Sequence, residues 1–135
     1  GLDSDRAGLL VDVVDPGERD QEQHDAVRDV FALPSACMLV RNDVFREIGG
    51  FAPNIPFLGE ELDFCWRVHL LGARVVVNPA AVVRHRGAFH SRGTMLHEAA
   101  RSERHRVRTA MICTSFAQLP LMVLRLVVGS LLPGI

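Results

Sequence analysis

The residues whose types and spacing suit chemistry lie in one short run, GEELDFCWR, where three carboxylates, Glu60, Glu61 and Asp63, follow Gly59. A carboxylate set against a hydroxyl can take its proton as a general base. The same acids in the first turn of a helix are also stabilised by the positive end of the helix dipole. Arg67 follows Asp63 by four residues, the spacing of an ion pair on one helix face, which adds about 0.3 to 0.5 kcal/mol and orients the acids. Trp66, the only tryptophan, shares a face with Leu62 and Leu70, which favours core packing over stacking on a ligand ring. Among the histidines, His85 ends a β-branched run and His24 sits in Gln23-His24-Asp25, whereas His90, His97 and His105 read as solvated. No histidine or cysteine pair has the i,i+4 or CxxC spacing that builds a metal site locally. A small metal-binding protein using His85, His90 and the acids is therefore the weakest functional reading.

These groups need elements to position them. Gly59 opens a helix that runs to about Leu71 and stops at Gly72, with the acids in its first turn. Before it, residues 9–14 read as a short strand and the apolar run PSACMLV, residues 34–40, as a buried strand. Asn42 caps a short helix, DVFREIG, that ends at Gly49-Gly50. The two prolines of FAPNIPFL make an irregular loop. After Gly72, ARVVVN and AVVRH read as two strands separated by the Asn78-Pro79 turn. Phe45, Ile48, Phe51, Phe64, Val68 and Leu71 are the expected core. Residues 94–118 are expected to be helical and carry Arg101, Arg104, Arg106 and Arg108; the strongly apolar segment 116–132 follows.

That segment is slightly shorter than the roughly 20 apolar residues of a spanning helix and is interrupted by Gln118, Pro120 and Arg125. Ser115, Gln118, Arg125 and Gly129 form a narrow polar stripe, which suits a helix lying in a membrane interface or a span packed against protein. The arginines just before it suit a cytoplasmic flank, so membrane contact is preferred over a buried core helix.

Composition sets the outer bounds. The chain has 135 residues, 48% hydrophobic and 23% charged, which excludes disorder, collagen and a disulfide scaffold. A formal charge of -1 gives no case for nucleic acid. Every basic residue is arginine and there is no tyrosine, the bias of a GC-rich bacterial genome. Three scattered cysteines, Cys37, Cys65 and Cys113, point to a reducing compartment. With no signal peptide and no initiating methionine, the chain is expected to be a piece of a longer protein.

The ordered series ACMLVR, EIGGF, GEELDFCWR, LLGARVVV, a proline turn and VVRHRG resembles the second half of the catalytic domain of family 2 glycosyltransferases. These are inverting GT-A type enzymes that include rhamnosyl- and galactofuranosyl-transferases. The resemblance covers roughly 50 of the 135 residues. The flanks, DQEQHD ahead of RDVFALPSACMLVR and the arginine-rich then apolar tail, look like large membrane-attached members from GC-rich bacteria.

The resemblance implies an α/β fold: residues 1–93 as the acceptor-side half of a GT-A domain, Rossmann-like in kind, and residues 94–135 as a helical, membrane-associated tail. It implies transfer of a sugar from a nucleotide-sugar to a cell-envelope glycan or lipid-linked acceptor, at the cytoplasmic face of the bacterial membrane, with a divalent cation, Mg or Mn. The family's base is the second acid of a Glu-Asp pair; here the pair is Glu60-Glu61, so Glu61 takes the position with one extra methylene, and Asp63 remains the other candidate. His85 matches the histidine that holds the cation or diphosphate in many such enzymes. His24, Arg67 and Trp66 are candidates for the substrate side. The family's Asp-x-Asp motif has no counterpart beyond the letters of Asp3-Ser4-Asp5. The competing reading is a non-catalytic glycosyltransferase-like interaction module whose Glu-Glu pair marks lost chemistry.

Overall fold

The computed structural model describes residues 2–4, 10–12, 17–19, 21–84 and 95–131. Strands β1 (Leu2–Ser4) and β2 (Leu10–Asp12) pair antiparallel, with Asp3 opposite Val11. β2 falls inside the stretch expected as a strand. Asp3 and Ser4 lie on β1, and Asp5 lies outside the described residues. A second antiparallel pair joins β3 (Arg28–Asp29) to β4 (Val76–Val77), extended by the Val30 N–H, which donates to the Val75 carbonyl at 3.0 Å.

Helix α1 (Asn42–Glu47) begins one residue after Arg41, whose side chain pairs with Asp43, and no side chain caps it. The chain turns away at Gly49 and Gly50, both at positive φ. At Gly50 the need for glycine is steric as well as conformational: a Cβ there would stand 3.0 Å from the Phe45 ring. Helix α2 (Glu60–Leu70) matches the expected boundaries closely, with Gly59 before it and the Gly72 N–H donating to the His69 carbonyl at its end.

Two expected strands are absent, for local reasons. The run from Pro34 is a 3-10 turn at Ser35–Cys37 followed by extended backbone at Met38. Pro34 brings no N–H to a ladder, and its carbonyl accepts the Cys37 N–H at 3.2 Å, closing the turn. After β4, Asn78 accepts twice, at Oδ1 from the Ala80 N–H and at its carbonyl from the Ala81 N–H, so the chain turns instead of pairing. Residues 81–84 are exposed and join no ladder, and His85 lies outside the described residues.

The core is built on α2. Leu62, Phe64, Cys65 and Val68 are buried against Val30, Ala32 and Val75 from the β3–β4 side. Phe45, Ile48 and Trp66 pack around them, as expected. Phe51 is partly exposed but closes an aromatic group with Phe45 and Phe64, its ring centroid 4.9 Å from that of Phe64. Leu71 is not in the core: it follows the last turn of α2 and is 39% exposed.

The expected helical tail is two helices, α3 (Met95–Cys113) and α4 (Leu119–Leu131), joined by a turn in which the Ser115 carbonyl accepts from Gln118 and Leu119. α3 packs against α2, so the tail's first helix belongs to the same packed body as the acids. Phe116, Leu121, Leu124 and Val128 leave apolar surface exposed at the end of the chain, while Met122 is buried. The 13 residues of α4 reach about 20 Å, short of a bilayer core. Among the described residues no helix is long and apolar enough to cross a membrane.

Candidate active site

The start of α2 is fixed from two sides. Leu58 and Gly59 both take positive φ, 63° and 118°, and His105 of α3 bonds through Nδ1 to the Leu58 carbonyl at 2.8 Å. His105 is 8% exposed, not solvated as expected. Gly59 has no side chain to spare here: a Cβ would meet the His105 Cβ at 3.1 Å, on a backbone that L-residues rarely adopt. α3 therefore lies directly over the turn that carries the acids.

The three carboxylates have different surroundings. Asp63 is buried, and its Oδ2 accepts from Arg67 Nε at 2.9 Å and from Nη2 as well. Arg67 Nη1 donates to the Ile48 carbonyl at 2.7 Å, and its guanidinium lies over the Phe64 ring. This pair joins α2 to the end of α1. A desolvated pair of this kind is costly to break, because the surviving charge stays buried.

Glu60 accepts the Ser35 hydroxyl at Oε1, 2.9 Å away, and its carboxylate is the partner of a side-chain hydrogen bond with the neighbouring Glu61 when that acid carries the proton. Glu61 is partly buried beside it. Burial pushes the Glu61 carboxyl above its ordinary value, and the Glu60 charge pushes in the same direction. Two adjacent acids in a poorly solvated turn do not ionise independently. A carboxyl raised in this way is a stronger base than a solvated one whenever it is ionised.

The other expected site residues are spread more widely. Trp66 packs edge-to-face on Phe31 at 5.2 Å, in keeping with the core role. His69 stacks on Phe31 and bonds its carbonyl, tying α2 to the segment after β3. His24 stands 3.2 Å from Glu18 within its own loop, where Gln23 also bonds Glu18. Among the described residues no three His, Cys, Asp or Glu side chains are grouped to hold a metal ion, and His85 lies outside them. Cys113 is pushed up to about 11 and Cys65 upward, both chiefly by burial, which makes them poor thiolate nucleophiles at neutral pH. An open groove of about 420 Å³ is lined by Met38, Leu39, Val44, Phe64, Val68 and Val76 among others, and by none of the three acids.

On α3 the sequence set His105 among the solvated histidines and gave no role to Thr109, which is fully buried. Neither carries a local motif; only a stripe of three residues spaced four apart, His105, Thr109 and Cys113, hints at a buried face.

No protein-family model matches the chain, and no solved structure matches it. Over 53 residues it is 40% identical to a pre-mycofactocin glycosyltransferase of Mycobacterium tuberculosis, with the same identity in each of two strains. The aligned stretch is 39% of this chain but 11% of the relative, so the chain spans a small part of the length of the curated relatives it matches. What the chain is similar to over that stretch is a segment of a glycosyltransferase.

Proposed function

We propose that the chain is the acceptor-side part of a longer, membrane-associated glycosyltransferase of the inverting, family 2 type. It serves transfer of a sugar from a nucleotide-sugar to a hydroxyl of a cell-envelope glycan or lipid-linked acceptor, at the cytoplasmic face of the membrane. The observation that carries this reading is the Glu60-Glu61 turn: a half-buried acid of raised basicity at the start of α2, inside a chain similar to a glycosyltransferase segment.

In the proposed reaction Glu61 takes the proton of the acceptor hydroxyl as that oxygen bonds to the anomeric carbon. The bond from that carbon to the diphosphate oxygen breaks, and the nucleoside diphosphate leaves from the opposite face, which inverts the anomeric centre. Asp63 and Arg67 hold the helix that carries the base. A divalent cation would neutralise the leaving diphosphate. His85, matched to it by resemblance alone, is the residue of this chain assigned to hold it, together with groups from the rest of the longer polypeptide. The exposed apolar residues around α4 support membrane-surface contact, assisted by the arginines of α3.

The test is transfer by the longer polypeptide, with UDP-, GDP- and dTDP-sugars offered with manganese and the product's anomeric configuration read by NMR. A product inverted relative to the donor is expected. A retained configuration contradicts the mechanism, and the absence of transfer with every donor favours the non-catalytic module.

A further inference from the structure

Three bonds lace the segment after β3 to α2, and the two run in opposite directions. His69 Nε2 stands 2.9 Å from the Phe31 carbonyl, the Leu33 backbone bonds the Cys65 thiol, and the Ser35 hydroxyl donates to Glu60 Oε1 at 2.9 Å. The core fixes the middle of this seam, since Ala32 and Cys65 are buried and Leu33 packs against them. The third bond differs in its chemistry, because it ends on a carboxylate in the turn of the proposed base.

Ser35 is held where it can make that bond. It opens the 3-10 turn Ser35–Cys37, which the Cys37 N–H closes on the Pro34 carbonyl at 3.2 Å. Its hydroxyl does not cap α2, because Gly59 precedes the helix and no side chain caps it. Ser35 is exposed, so the bond adds little to stability, and its interest is the group it orients.

A hydroxyl donated to a carboxylate favours the charged form. Glu60 acts on Glu61 through that form: its charge raises the Glu61 carboxyl, and Glu61 bonds to it when it carries the proton. Other ionisable groups of α2 and the helix packed on it are engaged elsewhere. Asp63 and Arg67 hold each other, Arg106 holds Glu103, and His105 bonds the Leu58 carbonyl. The Cys65 thiol is pushed up by burial and stays neutral.

We infer that Ser35 is a positioning residue for the proposed reaction: its hydroxyl holds the Glu60 carboxylate as the hydrogen-bond acceptor for Glu61 once Glu61 has taken the proton of the sugar hydroxyl. That proton stays on Glu61, shared with Glu60, and Ser35 keeps its own. This deepens the reaction proposed above and rests on Glu61 being its base.

The first measurement needs no sugar. The Glu61 carboxyl carbon is titrated by NMR in the chain, its signal assigned by its loss in Glu61→Gln. Ser35→Ala should bring the Glu61 midpoint down toward the ordinary glutamate value, and Ser35→Thr should leave it raised. In a Glu60→Gln background, Ser35→Ala should change nothing. A merely structural serine would leave the midpoint unmoved in Ser35→Ala. That result, or an effect that persists in Glu60→Gln, overturns the inference. Kinetics in the longer polypeptide then read the consequence. Ser35→Ala should lower kcat about three- to tenfold with donor KM unchanged and move the acid limb of the pH profile to lower pH, and Ser35→Thr should recover both. An unchanged kcat and pH profile in Ser35→Ala also overturns the inference. Absence of transfer by the parent with every donor overturns the reaction instead, and the titration is read independently of it.

Discussion

The two ends of α2 differ in how their polar groups are satisfied. From Asp63 onward the ionisable groups that are partnered hold the fold: Asp63 with Arg67, Arg67 with the Ile48 carbonyl, His69 with the Phe31 carbonyl. In the turn just before, Glu60 and Glu61 crowd two carboxyls into a poorly solvated place where they must share a proton or repel, on a backbone entered through two positive-φ residues. Satisfied groups stabilise, whereas crowded acids in a poorly solvated turn are a cost that chemistry can explain. The difference bears on two acids that the sequence left as rivals: Asp63 is held by its ion pair, and the proposed reaction takes Glu61 as its base.

Breaking the satisfied end should have the largest effect on stability. Arg67→Ala leaves Asp63 buried without its partner and is expected to cost about 3 to 5 kcal/mol, read as a lower urea midpoint at unchanged m-value. A loss below about 1 kcal/mol would mean that the pair behaves as an exposed one and that the contrast between the ends is overstated. Next, Gly59→Ala places a Cβ against His105 at a φ of 118° and should cost about 1 to 3 kcal/mol. It should also loosen α3, seen as faster amide exchange in α3 than in α1.

The smallest effect has the opposite sign. The Glu61 carboxyl is raised in the folded state, so the fold binds more protons than the unfolded chain between the two values, and stability falls as pH rises through that window. Glu61→Gln removes the penalty. Its melting temperature should exceed that of the parent at neutral pH, and the gap should shrink as pH falls below the ordinary glutamate value, where the parent's carboxyl becomes protonated in both states. A melting temperature below the parent's at neutral pH would place Glu61 among the satisfied, stabilising groups.

The sequence made α2 legible because its signals are local: Gly59 before it, the acids in its first turn, the i,i+4 spacing of Asp63 and Arg67, and Gly72 after it. Its surroundings were not legible. His105 reaches Leu58 across 47 residues, and no periodicity within α3 says which helix its buried stripe will meet. The strand expected at 34–40 failed because Pro34 closes a turn with Cys37, a contest between turn and ladder that apolar content alone does not decide. Thr109 was unreadable for the same reason: its burial follows from the packing of α3, which no local pattern in the sequence shows.

The central claim, that the base is Glu61 and that Asp63 supports it structurally, is tested most directly by paired kinetics in the longer polypeptide. Glu61→Gln should lower kcat by about 10² to 10⁴ with donor affinity almost unchanged, since it keeps the shape and removes the proton acceptor. Asp63→Asn should lower stability and cost much less in rate at temperatures where the protein stays folded. If Asp63→Asn abolishes turnover in a protein of unchanged stability while Glu61→Gln does not, the account is contradicted and the base lies two residues further along α2.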